Sequence, residues 1–170
     1  MECKKQKIIS TLFNSSMRYV LTMTLPLFSI FSGNDVSFVY YSDKQTFNQS
    51  QAACLADGLT LAMPDTQAKQ ELLTTYLNTL WNSGTLATNQ IWIGLTDILE
   101  EDNFLWIDRR EVTWTFWGVD KPDNGGNGPD EDCGTVVFKN AFAWNDRPCS
   151  DTNSFVCEGM LSGIYRAIRD

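Results

Sequence analysis

The chain has no histidine. This removes Ser-His-Asp and Cys-His nucleophile activation and nearly all zinc catalysis, together with the side chain that usually senses pH between about 5 and 8. None of the five cysteines forms a Cys-x-x-Cys pair, so neither a zinc site nor a thioredoxin-like redox motif is indicated. Positive charge is scarce. Thirteen Lys and Arg against 21 Asp and Glu give a formal net charge of −8, which leaves no basic stripe to displace counterions from a nucleic acid. The sequence holds no internal repeat and no low-complexity block. Its longest uncharged, mostly apolar run, 19–31, falls short of the roughly 20 apolar residues that a spanning helix needs.

What is present begins with that run. Lys4, Lys5, Lys7 and Arg18 precede it, and the small residues Ser32 and Gly33 follow it. A basic start, an apolar middle and a small-residue end read as a signal peptide over 1–33 rather than an anchor, and the expected product is secreted and extracellular. Met17-Arg18 opens a shorter leader by itself, so 1–16 is either an extension or a misassigned start. Cys3 leaves with the leader. The four remaining cysteines, at 54, 133, 149 and 157, are an even number suited to an oxidising compartment. The length suits one domain with a substantial core, expected over 34–158, followed by a tail over 159–170 that is a short amphipathic helix or a frayed end.

Residues 36–41 are aromatic and β-branched and predict a strand. Residues 46–56 predict a helix ended by Gly58. Asp65 is placed to cap a second helix, in which Ala68, Leu72, Leu73, Tyr76, Leu77 and Leu80 recur at helical spacing until Asn82-Ser83-Gly84 stops it. Strands are predicted over 91–95, 104–107, 112–116, 135–138, 141–144 and 154–157, and 118–131 reads as coil. Helices and strands are segregated rather than alternating, so the class is α+β. Trp92, Trp106 and Trp144 lie in apolar strand patterns and are expected in the core. Trp114 and Trp117 are open between core and surface. Asn48-Gln49-Ser50 is a glycosylation acceptor by pattern.

The most informative segment is 117–157. It carries Lys121-Pro122-Asp123-Asn124, a glycine-rich run, Glu131-Asp132-Cys133, Trp144-Asn145-Asp146, Cys149 and Phe155-Val156-Cys157-Glu158. Side-chain oxygens of this kind suit Ca²⁺, which takes several hard ligands in flexible geometry. The bland reading of the same residues is a solvated acidic loop with Asn and Asp as turn formers. An EF-hand is not supported, because Pro122 and Gly125 stand where its loop needs ligands. With Cys54 in the first helix, the Leu59-to-Pro64 link and Trp92-Ile93-Gly94-Leu95, this order of motifs resembles the C-type lectin domain over about 38–158.

The resemblance implies a C-type lectin-like fold: two helices, short antiparallel strands, a long loop region bearing a calcium site, and two disulfides. It implies the pairings Cys54–Cys157 and Cys133–Cys149, whereas the sequence alone leaves the pairing open. In the chain-entropy model, closing roughly 100 residues is worth about 4.7 kcal/mol and closing about 15 is worth about 3, both as ceilings. The primary calcium and sugar positions map onto Lys121, Asp123, Glu131, Asn145 and Asp146. Lys121 departs from the family, which has Glu or Gln there, and an ammonium offers no acceptor. The metal ligands expected are therefore Asp123, Glu131, Asn145 and Asp146. Either Ca²⁺ binds with water in place of the missing ligand, or the Lys121 ammonium takes the ion's place. An auxiliary calcium site maps onto Asp97, Glu101, Asn124 and Asp132, the alternative there being a charged turn at Glu100-Glu101-Asp102.

The implied function is a secreted, calcium-dependent, carbohydrate-binding lectin with glycans or glycoproteins as partners and no enzymatic activity. The order donor-Pro-acceptor in Lys121-Pro122-Asp123 matches galactose-type rather than mannose-type members, although the tryptophan platform of galactose binders is missing after Asn124. The rival class is a calcium-independent protein-binding or ice-binding module on the same fold. A third, a glycosidase using two carboxylates, has acidic residues but no nucleophile with a neighbouring base. The secreted protein is expected to begin after residue 32 or 33 and to lack free thiols. Non-reducing peptide mapping should yield Cys54–Cys157 and Cys133–Cys149 as linked pairs, and a Cys54–Cys133 link would defeat the fold expectation.

Overall fold

The computed structural model describes residues 9–11, 36–86, 88–126 and 128–160. Two helices, α1 (Phe47–Ala56) and α2 (Gln67–Asn82), accompany eight strands: β1 (Ile9–Thr11), β2 (Val36–Gln45), β3 (Thr60–Leu61), β4 (Gln90–Thr96), β5 (Leu105–Trp106), β6 (Cys133–Val137), β7 (Ala143–Arg147) and β8 (Asn153–Met160). The sheet runs β1-β2-β8-β4-β6-β7, with β3 on β8 and β5 on β4. β2 and β8 pair antiparallel from Val36↔Met160 to Tyr41↔Phe155, so the two ends of the domain lie side by side. One neighbour pair, β4 and β8, is parallel, joined through Ile91↔Ser154 and Trp92↔Phe155. Of the expected leader, only Ile9–Thr11 falls within the described residues, and it runs antiparallel to β2 at the sheet edge. Gly159 and Met160, expected in the tail, end β8, and the tail beyond them lies outside the described residues.

Both helices begin where a threonine can accept from the backbone. Thr46 caps α1 in a reciprocal box with Gln49. The cap of α2 is Thr66, whose hydroxyl accepts from Lys69 N, rather than Asp65. Asp65 is drawn away by two cations, Arg110 at 2.5 Å and Lys69 at 3.4 Å. The apolar stripe of α2, with Leu73, Tyr76, Leu77 and Leu80 almost fully buried, lies in the same core as Trp106 and Trp144. Trp92, as expected, is fully buried. Its indole donates to the Gln45 carbonyl at 2.9 Å, which satisfies the one polar atom that burial would strand.

The expected strand over 112–116 does not form. Glu111 and Trp117 make only isolated bridges, to Leu105 and Trp144. The aromatic residues that suggested a strand serve packing instead: Trp114 and Trp117 each set a ring edge-on to Trp144, at 5.6 and 5.7 Å. The strand expected at 141–144 starts later, because Ala141 and Phe142 have φ of 51° and 60° in the turn before β7. Gly134 is required by close approach, since a Cβ there would lie 2.7 Å from Leu95 Cβ on the neighbouring strand.

Two disulfides join these parts. Cys54–Cys157 ties α1 to β8, and Cys133–Cys149 ties β6 to the segment after β7. A buried polar link does the same for α2. Gln70, 2% exposed, accepts from the Trp144 indole at 2.8 Å and donates to the Phe142 carbonyl at 3.2 Å. Gln70→Leu would strand both partners without water, and denaturant unfolding should show a loss of about 2 kcal/mol. A loss below about 0.5 kcal/mol would mean that these bonds do not position β7.

Candidate functional site

The hairpin of β6 and β7 presents the site. Cys133 pairs with Arg147, Gly134 with Asp146 and Thr135 with Asn145. Asp146 is fully buried, and its Oδ2 accepts from the backbone N–H of Asp123 at 2.8 Å and of Asn124 at 2.6 Å. The glycine-rich coil has no strand of its own, so this carboxylate pins it. The Lys121–Pro122 peptide is cis. Gly125 lets the coil fold back, because a Cβ there would meet the Pro129 carbonyl at 2.8 Å.

Asp123, Glu131 and Asp146 come together, each offering a carboxylate oxygen within 4.8 Å of the others. They line a cleft of about 200 Å³ with Asp97, Glu101, Asp102, Phe104, Pro122 and Asn124. Asn145 does not line it. Its side-chain amide donates to the Asp146 carbonyl. Lys121 Nζ lies 2.5 Å from Asp123 Oδ1 and 3.8 Å from Asp146 Oδ1. Arg147 and Phe104 are among the contributors to the site that were not expected. Arg147, directly after Asn145-Asp146, sets its guanidinium 3.3 Å from Glu131 Oε1. Phe104 gives the cleft an aromatic wall, braced edge-on by Trp117 at 4.9 Å.

The residues expected at the auxiliary site meet only in part. Glu101 and Asp132 form a second carboxylate group, and its third member is Asp130. The run Asp130-Glu131-Asp132 was the available signal for it. Asp97 is 5% exposed. Its Oδ2 accepts from Asp102 N, and its Oδ1 has no hydrogen-bond partner among the described residues. Asn124 links the two groups, donating to Glu101 Oε1 at 2.7 Å and accepting from Glu131 N at 2.7 Å.

Electrostatics follow from this crowding. Burial, then the Glu101 and Asp132 charges, pushes Asp97 up to about 6. Burial also raises Glu131 and Asp132, the latter with help from Asp130. The hydrogen bond from Lys121 holds Asp123 below the usual carboxylate range. A hard cation fits this donor set. Asp146 Oδ1 is buried with no hydrogen-bond partner among the described residues and meets positive charge from Lys121 only at 3.8 Å, and a buried carboxylate oxygen of that kind is costly without a cation close by.

Paired domain ends, two disulfides and an acidic cleft in a long loop define a C-type lectin-like domain. The family model described as "Lectin C-type domain" matches residues 43–159, and the chain belongs to that family. It is 32% identical to the alpha-N-acetylgalactosamine-specific lectin of Patiria pectinifera over 139 residues, 78% of each chain. It is similar to the carbohydrate-recognition domain of the human scavenger receptor C-type lectin, at TM-score 0.59 and 29% identity, over 72% of this chain and 90% of that one. It is also similar to the C-type lectin CEL-I from Cucumaria echinata, at TM-score 0.64 and 25% identity, over 75% of this chain and 91% of that one.

The raised Asp97 value carries a signed consequence. Between its ordinary value of 3.8 and about 6, the folded chain binds the Asp97 proton more readily than the unfolded chain. The group therefore adds stability as pH falls through that window and removes it as pH rises. In EDTA, Asp97→Asn should flatten the gain in Tm between pH 7 and pH 5 that wild type draws from this residue. An unchanged slope in the variant would place the titration elsewhere.

Proposed function

We propose that the chain is a carbohydrate-binding lectin of the extracellular space whose primary site is completed by Ca²⁺. The observation that carries this is the convergence of Asp123, Glu131 and Asp146 around a buried Asp146 oxygen that has no hydrogen-bond partner among the described residues. Bound Ca²⁺ would offer sugar hydroxyls an electrophilic centre while the surrounding carboxylates accept their protons in hydrogen bonds. Asn145, beside Asp146 on β7, is the fourth proposed ligand. Asp97, Glu101, Asn124 and Asp132 are proposed to serve an auxiliary ion, with Asp130 added by its place in the same cluster. Asp123, Glu131, Asn145, Asp146 and Lys121 would contact the sugar.

Galactose-type sugars, including N-acetylgalactosamine, are the proposed ligand class. Support comes from the donor-then-acceptor order of Lys121 and Asp123 and from the printed specificity of the Patiria pectinifera lectin. The reading is of a binding module and not an enzyme. The leader over 1–33 is proposed to direct secretion. Among the described residues, no helix is long and apolar enough to cross a membrane.

A specific observation favours a second reading, a calcium-independent protein-binding or ice-binding module. Lys121 and Arg147 already face the three carboxylates. Retention on galactose-type and mannose-type resins, with Ca²⁺ and with EDTA, separates the two. Calcium-dependent retention is expected, and absence of retention on both resins under both conditions favours the second. Ca²⁺ at 100-fold excess over its Kd should add about 2.7 kcal/mol of stability. Asn145→Ala and Asp146→Asn should each lose most of the primary-site share of that gain, read as the calcium-induced shift in Tm.

A further inference from the structure

The Lys121 ammonium points at the two oxygens that a cation in the primary site would need. It lies 2.5 Å from Asp123 Oδ1 and 3.8 Å from Asp146 Oδ1, the buried oxygen with no hydrogen-bond partner among the described residues. We propose that Lys121 is a tethered competitor for the primary cation. Its ammonium neutralises the cluster in the ion-free protein, and Ca²⁺ must displace it to bind. This rests on reading the cluster as a calcium site.

Three features support the competition. An ammonium and a divalent cation attracted to the same oxygens repel each other at such short range, so one excludes the other. The tether keeps the ammonium at a high local concentration that dilution cannot lower. The tether point is itself held: Lys121 N donates to the Gly118 carbonyl at 3.2 Å, and Gly118 N donates to the Trp144 carbonyl at 2.8 Å, which anchors the segment to β7.

The side chain can also leave. It is 25% exposed, its partner Asp123 is 48% exposed, and a lysine stem turns about several single bonds. The pair with Asp123 is open to solvent and contributes little, whereas the approach to buried Asp146 contributes more, so displacement by a divalent ion is feasible yet costs affinity. The arrangement reconciles the retained acidic ligands with a residue that cannot ligate. Without the ion, Lys121 relieves repulsion among the carboxylates and the loop stays in place. With it, the displaced ammonium remains beside the cleft as a donor for a sugar hydroxyl.

The discriminating variant is Lys121→Met, which removes the charge and adds no ligand oxygen. Lys121→Gln removes the charge and adds an oxygen. Calorimetric Ca²⁺ titration and Tm in EDTA are measured on all three mature proteins. Lys121→Met should bind Ca²⁺ about tenfold tighter than wild type, and its Tm in EDTA should fall below that of wild type. Lys121→Gln should bind at least as tightly as Lys121→Met. A Lys121→Met protein that binds no tighter than wild type, or whose Tm in EDTA is no lower, overturns the competition. If Lys121→Gln alone gains affinity, Lys121 is only a missing ligand and the calcium reading stands. If none of the three binds Ca²⁺, the calcium reading fails and the competition fails with it.

Discussion

The buried carboxylate of Asp146 is the constraint on which the functional end of the molecule depends. One of its oxygens holds the backbone of Asp123 and Asn124, and the other, with no hydrogen-bond partner among the described residues, faces the Lys121 ammonium at 3.8 Å. A charge in that position is tolerated only with donors and positive charge around it. The coil over 118–131 therefore owes its shape to an electrostatic debt on β7 rather than to any propensity of its own. Anchoring of the coil and pairing with Lys121 are carried by the same side chain, so a disturbance of one is felt by the other.

Behind Asp146 the support is apolar and then polar in turn. Trp144 points into the core and takes Trp106, Trp114 and Trp117 edge-on. Gln70 on α2 satisfies the Trp144 indole. The β6–β7 hairpin is clamped by Cys133–Cys149, while Cys54–Cys157 joins α1 to the strand that pairs with the start of the domain. A loop without regular structure is thus carried on rigid elements, which is what precise placement of ligand oxygens requires.

The acidic cleft is more nearly self-compensated than its carboxylates alone suggest. Lys121 faces Asp123 and Asp146, and Arg147 faces Glu131. Membership of the family rests on the match over 43–159 and on the order of motifs. Lys121 distinguishes this chain within that pattern. It sets an ammonium beside Asp123 and Asp146.

Much was legible in the chain because local rules apply to it. Helical periodicity located α2, and a short continuous apolar run located β4. The motif order carried the fold class and, through family likeness, both disulfide pairings. Asp123, Glu131 and Asp146 could be named as partners on the same ground. Where the reading failed, distant residues decided. Asp65 caps nothing because Arg110 and Lys69 claim it. The segment 112–116 forms no strand because Trp114 and Trp117 pack on a tryptophan some 30 residues later. Arg147 and Asp130 entered the site through strand register and loop closure, which no window of sequence displays. By itself, then, the sequence determined the elements, the core pattern and the set of candidate oxygens. Only the tertiary structure decided which carboxylates converge and where Lys121 rests, because Coulomb energies depend on distances in space, and those are set by how the hairpin and the coil are folded against each other.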